Sequence, residues 1–114
     1  MSKRSHQLLL EDMLESARKI KNYCKEHTLE SFLDDEKTKD AVARNFEIIG
    51  EAANRLSPDF KQDNPDLTWE RLRGFRNRIV HEYFGIDYQI IWSIVENDLD
   101  FYIGEIELLI RLNK

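Results

Sequence analysis

Apolar residues recur along this chain at helical spacing rather than in strict alternation, and four segments carry the repeat over several turns. Residues 5–27 place Leu10, Met13, Leu14, Ala17, Ile20 and Cys24 on one stripe. A second helix is predicted over 35–56, with Val42, Phe46, Ile49, Ala53 and Leu56 on one face. Asp34 or Asp35 is its N-cap, because a carboxylate there accepts the free amide donors of the first turn. Residues 28–33 read as a short turn of helix between the two. Residues 57–67 hold both prolines and read as a loop. Thr68 then caps a short third helix over 69–82, the sequence Phe84-Gly85-Ile86 breaks it, and Asp87 caps a fourth helix over 87–112. The expectation is an all-α chain, a four- to five-helix up-and-down bundle forming a single domain over 1–114.

The fourth helix carries more apolar surface than one core face absorbs. At 100° per residue, Ile91, Val95, Tyr102, Ile106 and Leu109 form one stripe. Ile90, Phe101 and Leu108 fall about 100° to one side, and Trp92, Ile103 and Ile110 about as far to the other. An arc of about 200° implies a second buried contact. A central helix buried nearly all round would explain it, and so would a dimer interface; periodicity does not choose between them.

Composition narrows the class. Of 114 residues, 41% are apolar and 34% charged, with four glycines and two prolines. That balance suits a compact helical domain and disfavours an all-β fold, which needs more turn residues. The one cysteine, Cys24, cannot form an internal disulfide. No N-terminal apolar core with a cleavage site is seen and no apolar run approaches a membrane span, so a cytoplasmic location, away from membranes, is expected. Net charge is −5, unpromising for broad phosphate binding. Between Trp69 and His81, however, four arginines (71, 73, 76 and 78) stand against one acid, Glu70. This local excess points to a focused anion site.

Arg76 is the informative residue. On an ideal helix it lies within about 60° of the stripe Trp69, Leu72, Ile79, Val80 and Tyr83, in the middle of the face that should be driest. Arginine cannot shed its proton, so it needs a carboxylate, a cleft or a bound anion. One reading is a structural ion pair with Glu47 or Glu51 on the second helix. The other is an anion-binding arginine in a cleft between helices or protomers, with Arg73 lending charge. His81 lies about 140° round the helix from Arg76 and about 7.5 Å along it. The two converge on one ligand only if the arginine reaches round, the helix ends between them, or a second subunit completes the site. His6 and His27, with no such neighbours, read as structural.

The segment Arg76-Asn77-Arg78-Ile79-Val80-His81-Glu82-Tyr83 has the form R-x4-H-x-Y. It resembles the HepT-like branch of the HEPN superfamily (higher eukaryotes and prokaryotes nucleotide-binding). Ile48-Ile49-Gly50-Glu51-Ala52 is similar to that family's I-x-G-E-A element. Trp69, the lead-in Gly74-Phe75-Arg76-Asn77, the exit Tyr83-Phe84-Gly85-Ile86-Asp87 and Trp92 also fit it in order. R-x4-H alone is weak, whereas the full set covers nearly the whole chain. One departure is that Asp98-Leu99 is followed by Asp100, where relatives often carry proline.

The resemblance implies a homodimer through the third and fourth helices, with the two R-x4-H motifs face to face. It implies a metal-independent toxin ribonuclease using no cofactor, acting on RNA and not DNA, with a minimal nucleotidyltransferase antitoxin as partner. Arg76 and His81 are then the catalytic pair, Asn77, Arg73 and Glu51 support them, and Tyr83 is similar to the tyrosine on which such partners place AMP. RNA cleavage by its own 2′-hydroxyl needs a base and an acid on opposite sides of the phosphate, and charge at its free oxygens. Histidine, with an ordinary pKa near 6.5, suits both proton roles, and a dimer supplies His81 twice. Two rival readings remain: a non-catalytic nucleotide-binding accessory subunit, and a structural dimerising module. One cysteine and three scattered histidines form no zinc-type ligand set, and no Gly-rich phosphate loop is present.

Overall fold

The computed structural model describes residues 3–65, 69–74, 80–81 and 85–113, including seven helices and one two-stranded ribbon. Helix α1 spans Lys3–Cys24, α2 Leu29–Asp34, α3 Glu36–Arg55, α4 Pro58–Asp63 and α5 Trp69–Arg73. Strands β1 (Val80–His81) and β2 (Gly85–Ile86) follow, then α6 (Tyr88–Asn97) and α7 (Leu99–Leu112). Several helix starts are fixed by short polar side chains that satisfy first-turn amides. Thr28 Oγ1 accepts from the Ser31 amide at 3.1 Å while the Thr28 amide donates to Ser31 Oγ at 2.9 Å, a reciprocal capping box. Asp35 ends α2 and begins α3, accepting from the amide and hydroxyl of Thr38 at 3.0 and 2.9 Å. Asp87 Oδ1 accepts from the amides of Gln89 and Ile90, both at 3.1 Å.

The all-α bundle expected from periodicity is what forms. Helices α1 and α3 make the broadest contact, burying Leu10, Met13, Ala17 and Ile20 against Val42, Phe46, Ile49 and Ala53. They run antiparallel: His6, near the start of α1, meets Ser57 Oγ at 3.1 Å, and His27, just past its end, lies 3.7 Å from Asp35. Helix α7 also runs against α1, with Lys21–Asp100 at 2.8 Å and Arg18–Glu107 at 2.6 Å. Helix α6 is held from the other side by α2, whose Phe32 is fully buried with ring centroids 5.2 Å from Trp92 and 6.3 Å from Tyr88. His6 stacks on Phe60 at 4.5 Å, and Phe60 meets Trp69 at 6.1 Å, so α4 ties the first leg of the bundle to α5. Cys24 is buried, and burial raises its thiol to about 11.

Three boundaries differ from the sequence reading. Residues 57–67 are not all loop: Ser57 and Pro58 start α4, with Ser57 Oγ accepting from the Phe60 amide at 3.2 Å and proline at the first helical position, where its missing N–H costs nothing. The fourth helix is two helices, α6 and α7, meeting at Asp98. The third helix does not reach 82, because Val80–His81 are extended and paired.

Phe32→Ala should cost about 3–5 kcal/mol, since it empties a fully enclosed aromatic site; the urea midpoint measures it, and a loss below about 1 kcal/mol would show that α2 is dispensable. The hydrogen bonds from the Thr38 amide and hydroxyl hold the Asp35 carboxyl below its usual value. Its stabilisation is therefore present above the ordinary carboxylate range and lost as pH falls through the lowered pKa. Urea unfolding of wild type and Asp35→Ala should differ by a constant amount down to about pH 4 and converge below it.

Candidate active site

The site segment is anchored from its C-terminal side. Ile86 packs against the core, and Asp87, next to it, caps α6. Gly85 has φ 76°, in the left-handed region that glycine enters without a Cβ clash. That backbone turn lets Gly85 pair with His81 while Ile86 pairs with Val80, in antiparallel register. The backbone of His81 is thus fixed by hydrogen bonding to a strand whose far end is half-buried against the core. No helix continues through His81, whose backbone is extended. It also removes Val80 from the helical face assigned to it, because an extended residue does not follow a 100° repeat.

From the N-terminal side the segment hangs on α5. Trp69 and Leu72 are buried as their spacing predicts, and Trp69 Nε1 donates to the Asn64 carbonyl at 2.9 Å. The Gly74 amide still bonds the Glu70 carbonyl at 2.8 Å. Arg71 pairs with Asp98 at 3.0 Å, tying α5 to the joint between α6 and α7. One of the four clustered arginines is therefore already engaged.

Arg76, Asn77 and Tyr83 lie outside the described residues, as do the side chains of Arg73 and His81. Of the two carboxylates weighed as partners for Arg76, Glu47 accepts from Arg44 at 3.3 Å. Glu51 stands exposed on α3 without an ion pair among the described residues. Sequence reasoning missed the part played by Asp98. The signal was there in Asn97-Asp98, two residues that favour caps over helix interiors. Among the described residues no three His, Cys, Asp or Glu side chains cluster as metal ligands, and no helix is long and apolar enough to cross a membrane.

Helices α6 and α7 show how the excess apolar arc is distributed within the chain. Trp92 and Ile110 are buried, and Ile103 is half-buried against the core. On the opposite side Phe101 is 52% exposed, Leu108 37% and Leu112 69%. The bundle absorbs one flank, and on the other it half-buries Ile90 while leaving Phe101, Leu108 and Leu112 exposed.

The described residues form a small helical domain, and the sequence between α5 and β2 carries the clustered arginines and His81. Residues 13–109 match the family described as ribonuclease HepT-like, and the chain belongs to that family. It is 39% identical over 107 residues to a Thermococcus cleftensis protein named as a probable ribonuclease HepT, covering 94% of this chain and 97% of the relative. Two Methanocaldococcus jannaschii proteins carrying RNase names are 40% and 38% identical, over 97% and 96% of this chain and 92% and 100% of their own lengths. No solved structure gives a significant match.

Because Gly85 alone among the described residues holds a positive φ, Gly85→Ala should destabilise the ribbon by about 1–2 kcal/mol. The loss should appear as faster amide exchange at Val80 and Ile86. Unchanged exchange would show that the pairing does not position His81.

Proposed function

We propose that this protein is a metal-independent endoribonuclease whose active site is completed by two copies of the chain. The observation that carries the reading is family membership over residues 13–109, joined to an R-x4-H-x-Y motif whose histidine is pinned in a ribbon. In this reading His81 of one copy removes the proton from the RNA 2′-hydroxyl, whose oxygen attacks the adjacent phosphorus. The bond to the 5′ oxygen breaks, and His81 of the other copy protonates that leaving oxygen. Both Arg76 guanidinium groups hold the non-bridging oxygens, where charge accumulates in the transition state. Arg73 and Asn77 position neighbouring phosphates, and Glu51, exposed on α3 and without an ion pair among the described residues, orients Arg76.

The same reading makes the protein a toxin neutralised by a minimal nucleotidyltransferase antitoxin through AMP placed on Tyr83. A phosphate two residues from His81 would compete for Arg76 and obstruct the RNA path by charge and bulk together. The names of the relatives support the ribonuclease, and the Tyr83 role follows from the motif.

Cleavage should leave a 2′,3′-cyclic phosphate and a 5′-hydroxyl and should continue in EDTA; a 5′-phosphate product, or loss on chelation, refutes the mechanism. His81→Ala should lower kcat by about 10²–10⁴-fold with the fold intact and should abolish toxicity on expression. If wild type and His81→Ala are equally harmless and equally inactive on RNA, the accessory-subunit reading takes its place. Tyr83→Phe should escape AMP transfer by the partner, read by intact mass.

A further inference from the structure

Helix α7 begins on a residue whose side chain does not cap it. Before α2, α3, α4 and α6, the side chains of Thr28, Asp35, Ser57 and Asp87 each accept from a first-turn amide. Asp98 holds the same place before α7 and makes no such bond. Its amide still donates to the Ile94 carbonyl at 2.9 Å, so its backbone follows α6 and stays helical, with φ −119° and ψ −26°. A capping side chain ordinarily works from extended backbone, which Asp98 lacks. The carboxylate is bonded instead to Arg71, 27 residues earlier, at 3.0 Å.

What that bond does follows from the size of α5. The helix has five residues, and Trp69 and Leu72 are its buried anchors. Those two lie about 60° apart, so by themselves they leave so short a helix free to roll on the core. Arg71 stands about 100° from Leu72, off the buried face, and Asp98 holds it there. As a source of stability the pair is poor, since the Arg71 side chain is 45% exposed and such pairs contribute little. As a stop against rolling it is well placed. The Asp98 side chain is only 21% exposed, and its backbone bonds both to Ile94 in α6 and to Tyr102 in α7.

Helix α6 therefore carries both flanks of the motif segment. Its first end, at Asp87, bears β2, which pairs with Val80–His81. Its last end, at Asp98, bears α5, which leads in sequence through Gly74 to Arg76. The two ends are about 16 Å apart along the axis. We propose that Arg71 and Asp98 are a positioning pair, with α6 as the strut that sets the arginine side of the motif against its histidine side. Neither residue touches RNA in this role: Asp98 acts through Arg71, and Arg71 through α5. The inference rests on the ribonuclease reading above for the chemistry, and it takes Arg71 out of the phosphate-binding set.

Arg71→Met, Arg71→Lys and Asp98→Asn in the full-length protein test it by RNA cleavage, thermal unfolding and amide exchange. Arg71→Met and Asp98→Asn should each lower kcat about 10–100-fold, with KM within about twofold of wild type and the pH profile unchanged. The thermal midpoint should stay within about 5 °C; a larger fall makes the pair a structural brace and overturns the positioning role. Exchange of the Gly74 amide, bonded to the Glu70 carbonyl at the end of α5, should quicken. Arg71→Lys should keep most of the rate, because an ammonium still reaches Asp98 as a point charge. The sign of the Asp98→Asn effect is diagnostic. Were Arg71 a phosphate ligand, neutralising the acid beside it would free it and lower KM, and that result overturns the proposal. Unchanged Gly74 exchange overturns it whatever the rate, and so does quickened exchange at full rate. A wild type that cleaves no RNA removes the ribonuclease reading alone, and the exchange result then decides the clamp.

Discussion

Everything in this molecule is laid on the dry seam between α1 and α3. Its small members, Ala17 and Ala53, are fully buried, letting the two backbones approach while Met13, Ile20, Phe46 and Ile49 fill the space beside them. Burial of that apolar surface is the dominant favourable term for so short a chain, and close packing fixes one mutual orientation. The polar contacts at the two ends of the pair, His6 with Ser57 and His27 with Asp35, add modest energy and define the ends of the bundle.

From that seam the geometry passes outward in short, well-determined steps. Phe32 carries α2 onto α6 through its contacts with Tyr88 and Trp92. The start of α6 is fixed by Asp87, which is bonded through Ile86 to Gly85, and Gly85 pairs with His81. On the other side Phe60 and Trp69 carry the order of α1 into α5, and Arg71 closes the loop onto Asp98. In the proposed mechanism His81 stands within hydrogen-bond reach of a phosphate, and such double support would serve it, since small displacements at a reacting centre cost much rate.

The long helices were legible because their cores repeat at 3.6 residues over about four turns: the stripes at Leu10 to Cys24 and Val42 to Leu56 are buried as the spacing requires, Leu14 excepted, which is half-buried. Asp35 and Asp87 were legible as caps for the same local reason. What misled was the long-range use of short segments. Val80 sits at helical spacing from Trp69 and Leu72, yet a two-residue ribbon closed by Gly85 takes it, because pairing with a core-packed strand outweighs a few residues of helix propensity. Pro58 was read as a breaker when it opens α4. Of the site itself, the motif and the basic cluster are sequence facts, while the anchoring of His81 from behind and of α5 through Asp98 depend on contacts between residues far apart in the chain.

The joint at Asp98 divides what a single continuous helix would have to do at once. Helix α6 commits Ile91, Trp92 and Ile94 inward, whereas α7 turns a second row of side chains outward while Leu99, Tyr102 and Ile106 keep its inner row filled. Substitutions along the outer row therefore leave the buried core untouched. The outward face of α7 can thus change its chemistry without disturbing the packing that holds the chain together.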